Sequence, residues 1–323
     1  MVVAHHASNQ IAATQSHLEF GFGVSGVDLF FVISGFIMAV TSTDMSPIEF
    51  VKRRIVRVVP LYWLLTLSMI CIALVAPSLF KTLRFSAGTV VESLLFVPHS
   101  SLSFPGMAWP VLVPGWTLNF EMFFYAMFSL SLFLPVRSRT PALVAAFAML
   151  IVVGFLFGPF DSPVFSTYTS PLLAEFVSGV LIGHLWLRGL VRLTASTSSL
   201  AIVCGAGLLV LRNDPPFMQF NPMLGAVLVV VGSLHSSIGH WHNRTLRALG
   251  DSSYSIYLTH IFTLGALREV WVKTAHADDS ATSAWLFMIT SLLICAVAGW
   301  FTYRWLEQPL LRWFSARWFS RSV

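Results

Sequence analysis

His6 lies in the stretch MVVAHHASNQ, surrounded by apolar and small residues. A neutral imidazole is the side chain best suited to take a proton from a hydroxyl near neutral pH. The plainer role for the same ring is a hydrogen bond to a neighbouring helix or to interfacial water. His5 is adjacent and, on a helix, points to a different face. Arg54 and Arg57 occur in KRRIVRVVPLYW, where a spacing of three puts both guanidinium groups on one helical face. Such a pair can clamp phosphates bidentately, although basic residues at this position also anchor any inward-facing loop. Glu121 stands in GWTLNFEMFFYAMF, flanked by Trp116 and Tyr125. A spacing of four lets the Tyr125 phenol share its face. The carboxylate could orient a histidine, accept from a hydroxyl, or cap a neighbouring helix.

Tyr254, Tyr257 and His260, in SSYSIYLTH, recur every three residues and draw a polar stripe along an otherwise apolar helix. A stripe of that kind faces protein or water, either to bind a substrate or to stitch helices together. Asp28, in GVDLFFVISGFIM, is placed as an interfacial or helix N-terminal charge and joins the binding candidates. Ser34 and Gly35 below it would let another helix come close. Glu307 is expected to pair with Arg304 in a structural role, and Glu175 and His184 offer local pairing only. There is no GxSxG elbow, P-loop or HExxH run, so transfer chemistry would run by general base rather than through a covalent serine. Cys71, Cys204 and Cys295 have no CxxC spacing and no histidine-rich partner tract. They suggest neither a metal site nor a disulfide framework.

All these polar groups are costly because of the elements that must carry them. The 323 residues are 56% hydrophobic and 10% charged, with a mean hydropathy of +0.77. A soluble domain carries about 25% charged residues. The apolar residues come in blocks, each near the roughly 20 helical residues that cross a bilayer core. An ionisable group in such a block costs about 2.5–3.5 kcal/mol on insertion scales. The chain therefore reads as an all-α, polytopic transmembrane bundle of about ten helices. It forms a single membrane domain over 1–323 with no appended soluble domain. Spans are expected at 24–40, 57–77, 116–135, 142–159, 171–188, 198–211, 219–235, 253–270 and 283–302. The connection 78–115, broken by Pro98, Pro105, Pro110 and Pro114, belongs at the membrane surface or against a cavity.

Fourteen of the nineteen Lys and Arg residues fall in one alternating set of connections and in the tail. That bias puts this set and the C-terminus in the cytoplasm. The basic pI near 9.4 thus reports topology, not nucleic-acid binding. Residues 1–15 must then run outward, yet they are too few to cross. They read as the outer half of a helix whose inner half was lost to a late start codon, or as an unusually short helix. No signal peptide is visible. The tail RWLEQPLLRWFSARWFSRSV reads as a helix lying in the cytoplasmic interface.

Taken in order, VVAHHA, GVDLFFVISGFIM, KRRIVRVVPLYW, GWTLNFEMFFYA, LGDSSYSIYLTH and YRWLEQP resemble the acyltransferase type 3 family. Its members are multi-helix membrane O-acyltransferases that modify bacterial surface carbohydrates. The wording of the second and third pieces looks most like the branch that acetylates exopolysaccharides. The resemblance implies that His6 is the family's first-helix histidine, acting as general base or acyl acceptor, with Glu121 as its catalytic partner. It carries the RxxR motif to Arg54 and Arg57, the fourth-helix residues to Trp116, Glu121 and Tyr125, and the ninth-helix pattern to Tyr254, Tyr257 and His260. It further implies acetyl-CoA or another acyl-CoA as co-substrate with no bound cofactor. A glycan or lipid-linked sugar would be the acceptor, within the inner membrane and in contact with a polysaccharide biosynthesis complex. Two features depart from the family. No basic residue stands about ten positions before His6, and no esterase-like domain is appended. A carrier or flippase for a lipid-linked sugar is the alternative, although no inverted repeat or pair of broken helices is apparent. A scaffold would not need so many costly polar groups.

Overall fold

Ser46 starts the longest helix by accepting a hydrogen bond from the Glu49 backbone N–H at 3.2 Å. Pro47 occupies the first turn, where its missing N–H costs nothing. The computed structural model describes residues 1–18, 20–80, 82–211, 221–235, 243–274 and 279–319. Its helices are α1 (Val2–Ser8), α2 (Ala12–His17), α3 (Ser25–Thr41), α4 (Pro47–Val75), α5 (Ala87–Leu94), α6 (Gly115–Ser131), α7 (Val136–Phe157), α8 (Pro163–Tyr168), α9 (Leu173–Leu187), α10 (Ala195–Val210), α11 (Asn221–His235), α12 (Arg244–Asp251), α13 (Ser253–Thr274), α14 (Ala281–Thr302) and α15 (Gln308–Phe319). Among the described residues there is no β-strand.

Each of the nine expected spans falls on a helix, with residues 219 and 220 of the seventh lying outside the described residues. The stretches Gly21–Thr41, Pro47–Val75, Val136–Phe157, Pro163–Leu187 and Ala281–Trp318 are long and apolar enough to cross a membrane unaided. α6, α10 and α11 have 17, 16 and 15 residues, short for a 30 Å core. α4 begins ten residues before its expected start. The Ser46 cap and the Glu49–Arg53 pair carry the helix through KRRIVR, so Arg54 and Arg57 stand on the helix itself. The first fifteen residues are not one straight half-helix. The chain breaks between Ser8 and Ala12, where Ile11 is extended and its N–H meets Thr14 Oγ1 at 3.4 Å. Among its described residues the 78–115 connection is irregular as expected, apart from the 3-10 turn Pro77–Leu79 at its start and α5, which Ser86 caps at 3.2 Å.

Two compact units divide the chain: unit 1 is Met1–Val27 with Trp241–Val323, and unit 2 is Asp28–His240. Unit 1 packs α1 and α2 onto α14, with α13 alongside. Small residues make this close fit work. Ala4, Ala7, Ala13 and Ala284 are buried with Leu264, Met288 and Cys295. α14 runs through a π-turn at Tyr303–Glu307 into α15.

In unit 2, α3 crosses α9 at Gly35 and Gly179. A Cβ on Gly35 would lie 2.1 Å from the Phe176 carbonyl oxygen, and one on Gly179 would lie 2.0 Å from that of Val32. Only glycine permits that approach, as the sequence suggested for Gly35. Beside the crossing, Phe124 of α6 stacks on Phe176 at 4.0 Å, and Phe31 and Phe147 close the aromatic core edge-on. This packing fixes the rotation of α6, and with it the direction of Glu121.

Candidate active site

In unit 1, α1 and α13 bring His6 against His260, with ring centroids 5.0 Å apart and planes tilted by 38°. His260 is fully buried. Its Nδ1 lies 2.5 Å from the Tyr257 carbonyl, which can only accept, so Nδ1 carries the proton. Nε2 is then a bare lone pair, and it is buried without a hydrogen-bond partner. The Tyr257 ring sits 5.9 Å from the imidazole, and Tyr254, one turn earlier, is half-buried. His6 is partly exposed, and its backbone carbonyl accepts from Gln10 Nε2 at 3.0 Å. His5 has a structural bond instead, since its Nδ1 donates to the Phe20 carbonyl at 3.1 Å. Two members of the stripe read from sequence, Tyr257 and His260, thus meet, and His6 packs against the second of them. Ser255, on a neighbouring face of the same helix, donates to buried Glu307 at 2.5 Å. Arg304 donates to Gln308 at 3.0 Å.

In unit 2, α4 and α6 assemble the arginines, the carboxylate and the phenol. Tyr125 Oη donates to Glu121 Oε1, and both side chains are buried. Both guanidinium groups, Arg54 and Arg57, lie within electrostatic reach of that carboxylate. The Arg54 guanidinium lies 5.3 Å from the Phe50 ring centroid and 5.7 Å from that of Tyr125. Its Nη2 donates to Thr41 Oγ1 at 3.4 Å, while Nε is buried without a partner. Phe50, four residues before Arg54, was not singled out in the sequence, although that spacing places it under the guanidinium. Trp116 stands one turn before Phe120 and meets it edge-on at 6.0 Å, so it braces α6 and does not join the cluster through that contact. Asp28 is buried in the first turn of α3, a helix N-terminal charge as one of its two expected placements has it.

Other polar residues hold unit 2 together. Arg139 ties two helix ends, donating to the carbonyls of Thr43 at 2.8 Å, Leu134 at 3.1 Å and Leu132 at 3.3 Å. Leu132 is the C-cap of α6, whose carbonyl is one of the orphan acceptors that a helix C-terminus leaves, while Thr43 and Leu134 lie just past the ends of α3 and α6. His184 meets Thr140 at 3.3 Å, the local pairing expected of it. Asn119 and His99 are buried polar residues that the sequence gave no cause to single out. His99 lies in the irregular connection, between the Val97 carbonyl at 2.9 Å and Ser93 at 3.4 Å. Among the described residues, no three His, Cys, Asp or Glu side chains gather as metal ligands would.

Residues 1–304 match the family model described as an acyltransferase domain. The exopolysaccharide production protein ExoZ of Rhizobium meliloti is 41% identical over 310 residues, covering 93% of each chain. A Komagataeibacter xylinus protein carrying the name of a membrane-bound transacylase, BcsY, is 29% identical over 84% of this chain and 74% of its own. The acyltransferase MdmB of Streptomyces mycarofaciens is 24% identical, over 95% and 85%. No solved structure matches the chain. The matched stretch carries the histidine pair, the arginine pair and Glu121 alike. The chain belongs to the acyltransferase type 3 family and is an integral membrane acyltransferase that transfers groups other than amino-acyl groups.

Proposed function

We propose that this protein moves an acetyl group from acetyl-CoA to a hydroxyl of an exopolysaccharide or its lipid-linked precursor, with His6 as general base. The observation that carries this reading is the buried imidazole of His260 against His6. A fixed neutral ring beside the base limits its rotation, and its unspent lone pair can accept a proton from it. The acceptor oxygen bonds to the acyl carbon while the carbon–sulfur bond breaks. The hydroxyl proton passes to His6, and from His6 to the departing thiolate. Charge-assisted bonds from Arg54 and Arg57 hold the donor's phosphates. Glu121 and Tyr125 keep the two guanidinium groups in place, and the unpartnered Nε of Arg54 is a donor kept for an anion.

The similarity to an exopolysaccharide production protein supports the glycan acceptor. Fourteen of nineteen basic residues on one set of connections support the bacterial inner membrane, a cytoplasmic C-terminus and a cytoplasmic donor. The chain acts as one acyltransferase domain, drawing its acceptor from the polysaccharide assembly machinery. Membership of an acyltransferase family replaces the reading as a flippase.

The test uses purified protein, labelled acetyl-CoA and exopolysaccharide stripped of acyl groups by mild base. CoA thiol should appear together with acetyl on the glycan, as read by mass spectrometry, and both should vanish in His6→Ala. Wild-type transfer by His6→Ala would remove His6 from the chemistry. Wild-type protein that releases no CoA would overturn the donor.

A further inference from the structure

Unit 1 contains an open groove of about 390 Å³, at the end of the unit away from Arg304, Arg312 and Arg317. It lies where the α1–α2 break meets the second half of α13 and the start of α14. Its walls include Gln10, Arg268, Glu269, Trp271, Asp279 and Ser283. The volume falls within the range of about 300–1,000 Å³ typical of small-ligand sites.

We propose that this groove is the subsite for the acceptor sugar. The inference rests on the reading of the protein as a glycan acyltransferase, and it adds where the sugar binds. Three features of the wall support it. The first is an indole with a fixed plane: Trp271 meets Phe287 edge-on at 5.3 Å, and its partly exposed ring offers the apolar face on which a pyranose packs its C–H groups. The second is the local charge. Arg268 is paired with Glu269 at 3.1 Å, and Asp279 adds a second carboxylate, so the groove holds more negative charge than positive. A phosphate or the CoA nucleotide would be repelled, whereas a neutral polyol donates its hydroxyls to carboxylates without an ionic cost. Asp279 is itself held from α2, by Ser16 Oγ at 3.5 Å and by His17 at its carbonyl at 3.0 Å.

The third feature links the groove to the chemistry. Gln10 spends its amide N–H on the backbone carbonyl of His6 at 3.0 Å. Its amide oxygen is left to accept from a ligand hydroxyl. One side chain thus touches both the groove and the α1 turn that carries the base. A sugar seated on Trp271 and Gln10 therefore lies beside the α1 turn that carries His6. This position also explains the break at Asn9–Ile11. A straight α1 would carry Gln10 onward with the helix, whereas the break turns α2 aside and leaves a gap beside α13.

Acceptor oligosaccharides cut from the exopolysaccharide and de-O-acylated with mild base serve as the probe. Their binding to full-length protein in detergent is followed by saturation-transfer NMR, and acetyl transfer is followed in parallel. Trp271→Ala should weaken binding about tenfold and lower the share of acetyl that reaches sugar instead of water by a similar factor. Trp271→Phe, which keeps a flat ring, should stay within about twofold on both measures. Wild-type binding by Trp271→Ala would reduce Trp271 to an interfacial anchor and overturn the subsite, as would a Phe variant that fails like the Ala variant. Binding that depends on Trp271 in a protein transferring no acetyl would sustain the subsite while sinking the assigned activity.

Discussion

Arg54 and His260 each keep one buried polar atom unspent, yet what each leaves over is opposite. In unit 2, Glu121 is hydrogen-bonded to Tyr125 and faces two guanidinium groups, and the leftover atom is Nε of Arg54, a donor on a permanent cation. In unit 1, the proton of His260 is spent on the Tyr257 carbonyl, and the leftover atom is Nε2, a lone pair on a neutral ring. An unsatisfied buried polar group costs about 1–3 kcal/mol. A fold tolerates that cost where a ligand or a reaction step removes it. The unit 2 remainder suits an anion, and the unit 1 remainder suits a proton. Under the proposed function the contrast separates holding charge from moving protons, with the donor's phosphates at the unit 2 cluster and base catalysis at the unit 1 pair.

The strongest way to break this contrast is at His6. Its replacement by Ala should lower the rate of acetyl transfer about 10³-fold, the middle of the range for losing a general base, with donor KM little changed. His260→Ala, which removes only the neighbouring ring, should cost less, about tenfold to a hundredfold in kcat. Equal losses in the two variants would mean that the imidazoles act as one unit. A larger loss at His260 would reverse their roles.

At the arginines, the contrast predicts a different kinetic signature. Arg54→Ala or Arg57→Ala removes a charge-assisted contact worth about 1.5–3 kcal/mol, so donor KM should rise about tenfold to a hundredfold while kcat at saturation holds. Lys at either position keeps the charge but not the planar fork, and should recover only part of the loss. A fall in kcat with unchanged KM would move the arginines from holding the donor to the reaction itself.

Much of this could be read from the chain because insertion cost is local. His6, Glu121 and His260 each stand in a block where a polar group needs a reason, and their spacing on a helix predicts which neighbours share a face. Tyr125 met Glu121, and Tyr257 met His260, as intervals of four and three require. What stayed hidden depends on contacts far apart in sequence. Nothing in the 253 residues between His6 and His260 announces that their rings touch. Ser255 and Glu307 are likewise joined only by packing of α13 on the π-turn, so the carboxylate looked like a boundary charge awaiting Arg304. The break at Asn9–Ile11 was invisible for a different reason. It is made by backbone bonds returning to His6 and Ala7 at 3.4 and 3.2 Å, with no proline or glycine to mark it.

Ser255 gives a test on stability rather than rate. Its hydroxyl donates at 2.5 Å to a carboxylate that is 1% exposed. Ser255→Ala should destabilise the protein by about 1–3 kcal/mol, read as a lower thermal midpoint in detergent, with donor KM unchanged. Adding Glu307→Gln to it should cost less than the two single changes together, because the residues share one interaction. Strict additivity would show that the bond contributes nothing.

The smallest effect belongs to Arg53, the immediate neighbour of Arg54 in the same basic run. Its guanidinium turns outward and pairs with Glu49 one turn back at 2.7 Å, with the two side chains 52% and 40% exposed. Exposed pairs of this kind contribute about 0.2–1 kcal/mol. Arg53→Ala should therefore leave donor KM within about twofold of wild type and shift the thermal midpoint only slightly. Arg54→Ala, one residue along, should raise KM at least tenfold. The two residues have the same charge and the same sequence neighbourhood, and differ in which helical face carries them. If Arg53→Ala raised donor KM as much as Arg54→Ala, the donor would be responding to the total positive charge of the run. The buried cluster on α4 and α6 would then lose its claim to the phosphates.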